Sequence, residues 1–142
     1  MSKGAVVYYS GTGNTEEMAK AVLKGAEAAG AEARLFTSDE FQASMMADFD
    51  AYGFGCPASG AEELESSSFQ PMFESVEKDL KGKKTGLFGS YGWGGGTWME
   101  SWIDQVKADG AELVDPEGVI VNGAPDDETL AKCENLGKLL AA

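Results

Sequence analysis

The sequence predicts an α/β protein in which a doubly wound parallel β-sheet is covered by helices on both faces. Short apolar runs that end at turn residues alternate with amphipathic stretches along the whole chain, and this alternation is typical of βαβ units. The runs are continuously apolar, as expected of strands buried on both faces. The chain has 142 residues, 43% of them hydrophobic and 25% charged. These values suit one globular domain over residues 1–142.

The first third of the chain predicts two strands and a helix. Residues 5–9 form a short buried run, and apolar residues at helical spacing predict a helix over about residues 15–29. Gly30 is a natural stop for that helix, because glycine adopts the left-handed conformation at helix ends without strain. Residues 33–36 predict a weaker second strand, and residues 41–46 predict a short helix or turn.

The middle of the chain repeats this alternation. Residues 52–56 predict the third strand, which ends at Pro57 because proline cannot donate to the sheet ladder. A helix is predicted over about residues 69–80, the fourth strand over residues 85–89, and another helix over residues 98–108.

The remaining segment predicts the fifth strand at residues 119–121, a half-strand before it at residues 112–114, and a closing helix over residues 129–140. In open parallel sheets, ligands bind outside the carboxyl ends of the strands, where the strand order reverses. We therefore expect a site formed by four loops, at residues 10–17, 57–66, 90–98 and 122–130.

Charge and composition exclude several function classes. The chain has 11 Lys and Arg against 24 Asp and Glu, a net charge of −13, and no histidine. Nucleic-acid backbones and anionic membranes are bound by basic patches, so neither is an expected partner. Two cysteines, Cys56 and Cys133, are too few for a disulfide framework. We find no signal peptide and no apolar run near the ~20 residues of a membrane span, and expect a cytoplasmic protein with reduced thiols.

The first loop has the composition of a phosphate cradle. Gly11 and Gly13 permit tight backbone turns, and the N–H groups of the following helix start point toward an anion. The loop lacks the lysine of a Walker motif, and Glu16 stands at the third glycine position of the dinucleotide fingerprint. A helix cap with no ligand is the competing interpretation, but the loop offers more neutral donors than capping requires: Ser10, Thr12, Asn14 and Thr15.

The third loop places a large ring among glycines. Trp93 lies in a loop at the carboxyl end of a strand, and its exposure there indicates that a flat ligand stacks on it. Trp98 begins a helix and has Trp102 one turn later, so we expect Trp98 to be a core residue. The role of Tyr91 stays open.

The second loop combines a glycine turn with carboxylates. A turn containing Gly60 can rotate one peptide unit at low steric cost, and Glu62 could accept a hydrogen bond from a ring N–H. We expect Glu63 and Glu65 to form a solvated acidic face.

The predicted ligand edge is ringed by negative charge. Its four loops contain no Lys or Arg, whereas Lys81, Lys83 and Lys84 lie just before the fourth strand, at the opposite end of the sheet. A negative field disfavours adding an electron to a bound redox group and lowers its reduction potential. It also steers a partner with a basic docking patch. The eight acidic residues are Glu16, Glu17, Glu62, Glu63, Glu65, Asp126, Asp127 and Glu128.

Three motifs in register resemble the flavodoxin family: Ser-Gly-Thr-Gly-Asn-Thr at residues 10–15, Gly-Cys-Pro-Ala-Ser-Gly at residues 55–60, and Leu-Phe-Gly-Ser-Tyr-Gly-Trp-Gly at residues 87–94. Their spacing is similar to that of the short-chain type found in anaerobic bacteria. The resemblance implies a five-stranded parallel sheet of order 2-1-3-4-5 with FMN at the switch point.

The resemblance also implies residue roles. Residues 10–15 would hold the FMN phosphate, Trp93 would stack on the outer face of the isoalloxazine ring, and Glu62 would accept from a ring N–H. The Gly60–Ala61 peptide would turn so that its carbonyl meets the flavin N5–H after one-electron reduction. The full implied set of cofactor-binding residues is Ser10, Gly11, Thr12, Gly13, Asn14, Thr15, Ala58, Ser59, Gly60, Ala61, Glu62, Ser90, Tyr91, Gly92, Trp93, Gly94 and Asn122.

Ser59 departs from the family pattern. Close short-chain members carry methionine at this position, over the inner face of the ring, and serine offers less apolar contact there. Ala61 likewise has no side-chain hydrogen bond that would bias the peptide flip.

The expected function is low-potential one-electron transfer by non-covalently bound FMN, shuttling between semiquinone and hydroquinone in a ferredoxin-like role. The expected partners are ferredoxin-type oxidoreductases and reductases that dock on the acidic rim, and the chain is expected to be a monomer. The alternative is an NAD(P)H-dependent FMN or quinone reductase, which would need phosphate-complementary groups that the rim lacks. A phosphatase or receiver-type regulator is excluded, because no arginine follows Cys56 or Cys133 at six residues and no acidic cluster ends the first strand.

Overall fold

The computed structural model describes residues 3–11, 13–58, 64–92 and 96–142. In these residues, strands and helices alternate along the chain as the apolar runs predict. Their order is β1 (Lys3–Tyr8), α1 (Asn14–Ala28), β2 (Glu32–Thr37), β3 (Ala51–Gly55), α2 (Phe69–Val76), β4 (Lys84–Tyr91), α3 (Thr97–Ala108), β5 (Glu112–Leu113), β6 (Val119–Asn122) and α4 (Asp127–Ala141).

Two short 3₁₀ turns complete the described elements. The first, Ala43–Asp48, accounts for the short helix or turn expected at residues 41–46. The second, Glu77–Asp79, follows α2 directly. The predicted helix over residues 69–80 therefore ends at Val76 and tightens into 3₁₀ geometry, in which the N–H of Leu80 donates to the carbonyl of Glu77 at 3.2 Å.

All strand pairs in the sheet are parallel, and the order is β2-β1-β3-β4-β5, with β6 also paired to β4. The implied order 2-1-3-4-5 is confirmed. The fifth position is shared, because β5 pairs with β4 at Thr85 and β6 pairs with β4 from Phe88 onward. The half-strand expected at residues 112–114 is therefore present and shorter, at Glu112–Leu113.

A proline-containing turn separates β5 from β6. The Oδ1 atom of Asp115 accepts from the N–H of Glu117 at 3.0 Å, Pro116 offers no ladder donor, and Gly118 has a left-handed φ of 70°. Over this turn the chain stops pairing with β4, and it pairs with β4 again in β6.

The helices cover both faces of the sheet. On one face, α1 and α4 touch backbone to backbone through two glycines: a Cβ at Gly25 would lie 1.9 Å from the carbonyl oxygen of Glu134, and one at Gly137 would lie 2.0 Å from that of Val22. On the other face, the ring of Trp102 packs edge-on against Phe69 and Phe73. The expected α/β architecture is confirmed.

The two cysteines lie in the interior. Cys56 and Cys133 are both free and buried, and burial raises the pKa of each thiol to about 12. A buried thiol with a raised pKa carries little thiolate at neutral pH, which is the form that reacts. Within the described ranges, no helix has the length and apolar character needed to cross a membrane.

Candidate functional site

The parallel strands bring the predicted site loops to one edge of the sheet. β1 ends at Tyr8, β3 at Gly55, β4 at Tyr91 and β6 at Asn122. The described candidates all lie at or just after these ends: Ser10, Gly11, Gly13, Asn14 and Thr15 after β1, Ala58 after β3, Ser90, Tyr91 and Gly92 at the end of β4, and Asn122 at the end of β6. Thr12, Ser59, Gly60, Ala61, Glu62, Glu63, Trp93 and Gly94 lie outside the described residues, so their roles stay predictions.

Among the described residues of the first loop, no side chain caps the start of α1. Gly13 occupies the N-cap position in the left-handed conformation, with φ 97°, and its N–H donates to Ser10 Oγ at 3.0 Å. The carbonyl of Gly13 accepts from the N–H of Glu17 at 3.1 Å, which starts the helix. A Cβ at Gly11 or Gly13 would meet nothing within 4 Å. The geometry thus gives the half-buried Ser10 and Asn14 a place beside the amide end of the helix dipole.

A buried contact joins the first loop to the third. Thr15 Oγ1 lies 3.3 Å from Ser90 Oγ, with either hydroxyl able to donate, and the two residues are only 1% and 5% exposed. The sequence indicates two separate sets of donors and gives no sign that they touch. Because of this contact, the start of α1 and the end of β4 adjoin at the carboxyl edge of the sheet.

Tyr91, the last residue of β4, contacts both the loop after β6 and the first turn of α3. The carbonyl of Tyr91 accepts from the N–H of Gly123 at 2.8 Å, which fixes the loop after β6 against β4. The Tyr91 ring packs on the Trp98 ring with centroids 5.6 Å apart, so Tyr91 has at least a structural role. Asn122 and Gly92 are exposed, and a Cβ at Gly92 would meet no atom within 4 Å. This edge can therefore be approached closely by a flat molecule.

Trp98 is a core residue, as expected, and it also holds the second loop. Its side chain is 1% exposed, and its indole Nε1–H donates to the carbonyl of Cys56 at 3.2 Å. Pairing with β4 continues past the end of β3, since the Ala58 N–H donates to the carbonyl of Ser90 at 3.0 Å. The chain thus keeps strand-like pairing to the last residue described before the predicted turn at Gly60.

Glu65 corrects the expectation of a solvated acidic face. The residue is only 8% exposed, and its carboxylate accepts from three backbone N–H groups at the start of α2: Ser67 at 2.9 Å, Ser68 at 2.8 Å and Phe69 at 2.9 Å. The hydroxyl of Ser67 also donates to it. Burial alone would raise the pKa of Glu65, but these hydrogen bonds outweigh it and hold the pKa below its ordinary value. The two serines before Phe69 are the sequence signal for this cap.

The acidic rim is partly neutralised by lysines one helical turn away. Lys20 Nζ lies 3.3 Å from Glu16 Oε2, and Lys132 Nζ lies 3.6 Å from Glu128 Oε1. Both are exposed i,i+4 pairs. Such pairs are weak, at about 0.3–0.5 kcal/mol, but each cancels one charge of the rim. Glu17 and Asp127 are exposed. Asp126 caps α4, with Oδ1 accepting from the N–H of Thr129 at 2.8 Å. Lys84 begins β4, which confirms that the lysine cluster lies at the far end of the sheet.

Comparisons with known proteins agree with this geometry. The family model described as Flavodoxin matches residues 6–136. A flavodoxin from Megasphaera elsdenii is 43% identical over 136 residues, which cover 96% of this chain and 96% of that protein. A flavodoxin from Clostridium beijerinckii is 38% identical over 136 residues, or 96% of this chain and 97% of that protein. The solution structure of the two-electron reduced Megasphaera elsdenii protein has a TM-score of 0.88 at 42% identity, and covers 97% of this chain and 98% of its own.

Proposed function

The chain belongs to the flavodoxin family of FMN-binding electron-transfer proteins, and we propose that it is a low-potential one-electron carrier. In this proposal residues 1–142 form one FMN-binding domain, which holds the cofactor without a covalent bond and shuttles it between the semiquinone and hydroquinone states, in a ferredoxin-like role. The observation that carries the proposal is a set of neutral donors at the carboxyl edge of the sheet, inside an acidic rim.

The first loop fits the phosphate of FMN. The N-cap residue Gly13 has no side chain that could cap α1, which leaves the helix amides to an anion, and Ser10 and Asn14 add neutral donors beside them. No Lys or Arg lies within residues 10–17. A phosphate held there keeps its charge, which suits a cofactor that stays bound rather than a phosphoryl group that is transferred. We assign Thr12 to the same group, and place Thr15 beneath it, against Ser90.

The ends of β3 and β4 are proposed to hold the isoalloxazine ring. Trp93 would stack on its outer face, Glu62 would accept from a ring N–H, and the carbonyl of Gly60 would offer an acceptor to the flavin N5–H once the Gly60–Ala61 peptide has turned. Glycine at position 60 lets that turn occur at low steric cost. Backbone groups of Ala58, Ser59, Tyr91, Gly92 and Gly94, together with the Asn122 side chain, complete the contacts.

The acidic rim is proposed to set both the potential and the partners. Negative charge disfavours the anionic hydroquinone relative to the neutral semiquinone, which lowers the potential of the second electron. The same charge steers ferredoxin-type oxidoreductases and reductases that carry basic docking patches. We place this exchange in the cytoplasm, with the chain acting as a monomer.

Reaction with nicotinamides tests the proposal against a reductase. FMN-loaded protein is mixed anaerobically with NADPH or NADH alone, and the nicotinamide absorbance is followed. A carrier is expected to leave the nicotinamide unoxidised until a ferredoxin-type reductase is added, because the rim has no group that complements a nicotinamide phosphate. Rapid direct oxidation would assign the chain to the NAD(P)H-dependent reductases instead.

A further inference from the structure

Cys56 connects four elements through its own polar atoms. Its N–H donates to the carbonyl of Phe88 in β4 at 3.1 Å, and its carbonyl accepts from the Trp98 indole of α3 at 3.2 Å. Its Sγ accepts from the N–H of Glu65, just before α2, at 3.3 Å. Cys56, which follows β3, is thus hydrogen-bonded to Glu65. The segment between these two residues carries the proposed peptide turn.

Glu65 fixes the far side of this segment to α2. Its carboxylate collects the N–H groups of Ser67, Ser68 and Phe69, and its carbonyl accepts from the N–H of Gln70 at 2.8 Å. Phe69 is fully buried. The backbone at Glu65 is therefore held to a helix whose first side chain is part of the core.

A chain of hydroxyls extends this anchor to the loop after β2. Ser68 Oγ donates to Asp39 Oδ1 at 2.6 Å and lies 2.5 Å from Ser38 Oγ. Ser38 is 4% exposed, and its N–H donates to the carbonyl of Tyr8 at the end of β1. The start of α2 is thus tied to the carboxyl ends of β1 and β2 as well as to β3.

On the near side, two bonds hold the residues that precede this segment. The Ala58 N–H donates to the carbonyl of Ser90 in β4 at 3.0 Å, and the Trp98 indole N–H donates to the Cys56 carbonyl. The described residues on both sides of the segment are therefore fixed to elements that pack in the core. When both ends are fixed, the dihedral changes that accompany a peptide rotation are confined to the residues between them. With loose ends, the flanking chain would move as well.

We propose that Glu65 is a positioning residue for the flavin, which acts by holding its own backbone N–H against Cys56 Sγ, beyond the segment that carries Gly60. This inference rests on the proposed function, because it concerns the peptide that turns on one-electron reduction. Glu65 then has a different role from the other acids of the rim. Its carboxylate oxygens accept from backbone N–H groups, and its effect on the midpoint of the first one-electron couple comes through loop geometry rather than through charge.

The test compares Glu65 with a carboxylate that caps a different helix. Glu65→Ala removes every acceptor of the cap, and Glu65→Gln keeps one oxygen. Asp126→Asn is the matched control, since Asp126 caps α4 and the substitution likewise removes one negative charge. Two readouts are taken on FMN-loaded protein: amide hydrogen exchange by mass spectrometry, and the midpoints of the two one-electron couples.

In Glu65→Ala, we expect exchange over residues 59–66 to speed up by about tenfold, the factor that corresponds to losing one helix cap. Glu65→Gln should show a smaller increase, and Asp126→Asn should change exchange only near the start of α4. The first-electron midpoint should move further in Glu65→Ala than in Asp126→Asn, although both lose the same charge. Faster exchange confined to residues 67–70, with midpoints that move as in Asp126→Asn, would reduce Glu65 to a helix cap and overturn the inference.

A cysteine pair tests the same bond if Glu65→Ala does not fold. Cys56→Ala removes the acceptor of the Glu65 N–H, and Cys56→Ser restores an acceptor. Exchange over residues 59–66 should be faster in Cys56→Ala than in Cys56→Ser, and equal rates would count against the inference. If the native protein shows no one-electron step at all, the proposed function fails, while the exchange rates still decide whether Glu65 holds the segment.

Discussion

The indole N–H of Trp98 donates to the backbone carbonyl of Cys56 at 3.2 Å, inside the core. This bond joins the first turn of α3 to the residue that follows β3, and it passes over a glycine of β4. A Cβ at Gly89 would lie 2.1 Å from the same carbonyl oxygen and 3.1 Å from the Trp98 ring. The motif that resembles flavodoxin around residue 89 therefore contains glycine for packing reasons as well as for ligand approach.

Removing the indole donor should destabilise the protein. Trp98→Phe keeps an aromatic ring but leaves the buried Cys56 carbonyl without this donor, at a cost of about 1–3 kcal/mol. The matched control is Trp102→Phe, because Trp102 Nε1 is buried and has no hydrogen-bond partner in the described parts of the chain. Urea unfolding of FMN-loaded protein should show the larger loss for Trp98→Phe, and equal losses would contradict a role for the bond.

A methyl group at position 89 should be tolerated poorly. Gly89→Ala pushes a Cβ into a backbone oxygen that is itself held by Trp98, so the expected loss is at least about 1–3 kcal/mol, the usual range for overpacking. Gly4→Ala is the control: it is also a strand glycine, and its Cβ would meet only the Ala33 methyl, at 4.0 Å. Thermal unfolding of both variants separates the steric effect from the general effect of adding a methyl group to a strand.

A pair of carboxyl groups between α2 and α3 should make stability depend on pH. Desolvation raises the pKa of Glu77, the Gln105 amide at 3.0 Å lowers it, and the neighbouring Asp109 raises it, with a net increase. Asp109 Oδ2 is buried without a hydrogen-bond partner among the described residues. A carboxyl whose folded pKa lies above its unfolded pKa destabilises the fold once it ionises. Stability should therefore fall as pH rises from the ordinary glutamate range through the raised pKa.

Glu77→Gln tests this sign. The amide keeps an acceptor for Gln105 and gains a donor for Asp109, so the variant should be more stable than the native protein at neutral pH. Its advantage should shrink as the pH falls below the ordinary glutamate pKa, where Glu77 is protonated in both folded and unfolded chains. Glu74→Gln, at an exposed position of α2, controls for the loss of one charge. Urea midpoints that give Glu77→Gln the same advantage at both pH values would contradict a raised pKa of Glu77 as the cause.

The order of strands and helices could be predicted from the sequence because the apolar residues follow two distinct patterns. Short continuous runs are typical of buried strands, and apolar residues at helical spacing are typical of one face of a helix. Gly30 ends α1 as expected, with φ 94°. The split of the fifth strand was predicted as a half-strand, and the turn at Asp115 and Pro116 explains where it breaks. The early end of α2 was not predicted, since a switch to 3₁₀ geometry leaves no clear mark on the apolar spacing.

The sequence predicts where the candidate site residues lie in the fold, but it predicts only some of the contacts among them. Local chemistry places Ser10, Gly13 and Asn14 at the start of α1. Glu65 was assigned wrongly, because a glutamate beside other acids looks solvated until the backbone donors of α2 converge on it. The Thr15–Ser90 contact joins residues 75 positions apart in the sequence, and only the strand order brings them together.

The peptide at Gly60 gives the sharpest prediction for the cofactor chemistry. Gly60→Val should raise the cost of turning the Gly60–Ala61 peptide, because a β-branched side chain restricts the backbone conformations that glycine allows. The yield of the one-electron reduced flavin should fall, while FMN still binds in the oxidised state. An unchanged yield, measured by visible absorption during reduction, would mean that the peptide does not turn.

Stepwise anaerobic reduction of the purified protein shows whether this chain carries single electrons on FMN. The visible spectrum should pass from yellow oxidised flavin through a large yield of blue neutral semiquinone before it bleaches. Direct two-electron bleaching with no radical would contradict the claim and favour a reductase. A colourless protein that FMN cannot reconstitute would remove the flavin site itself.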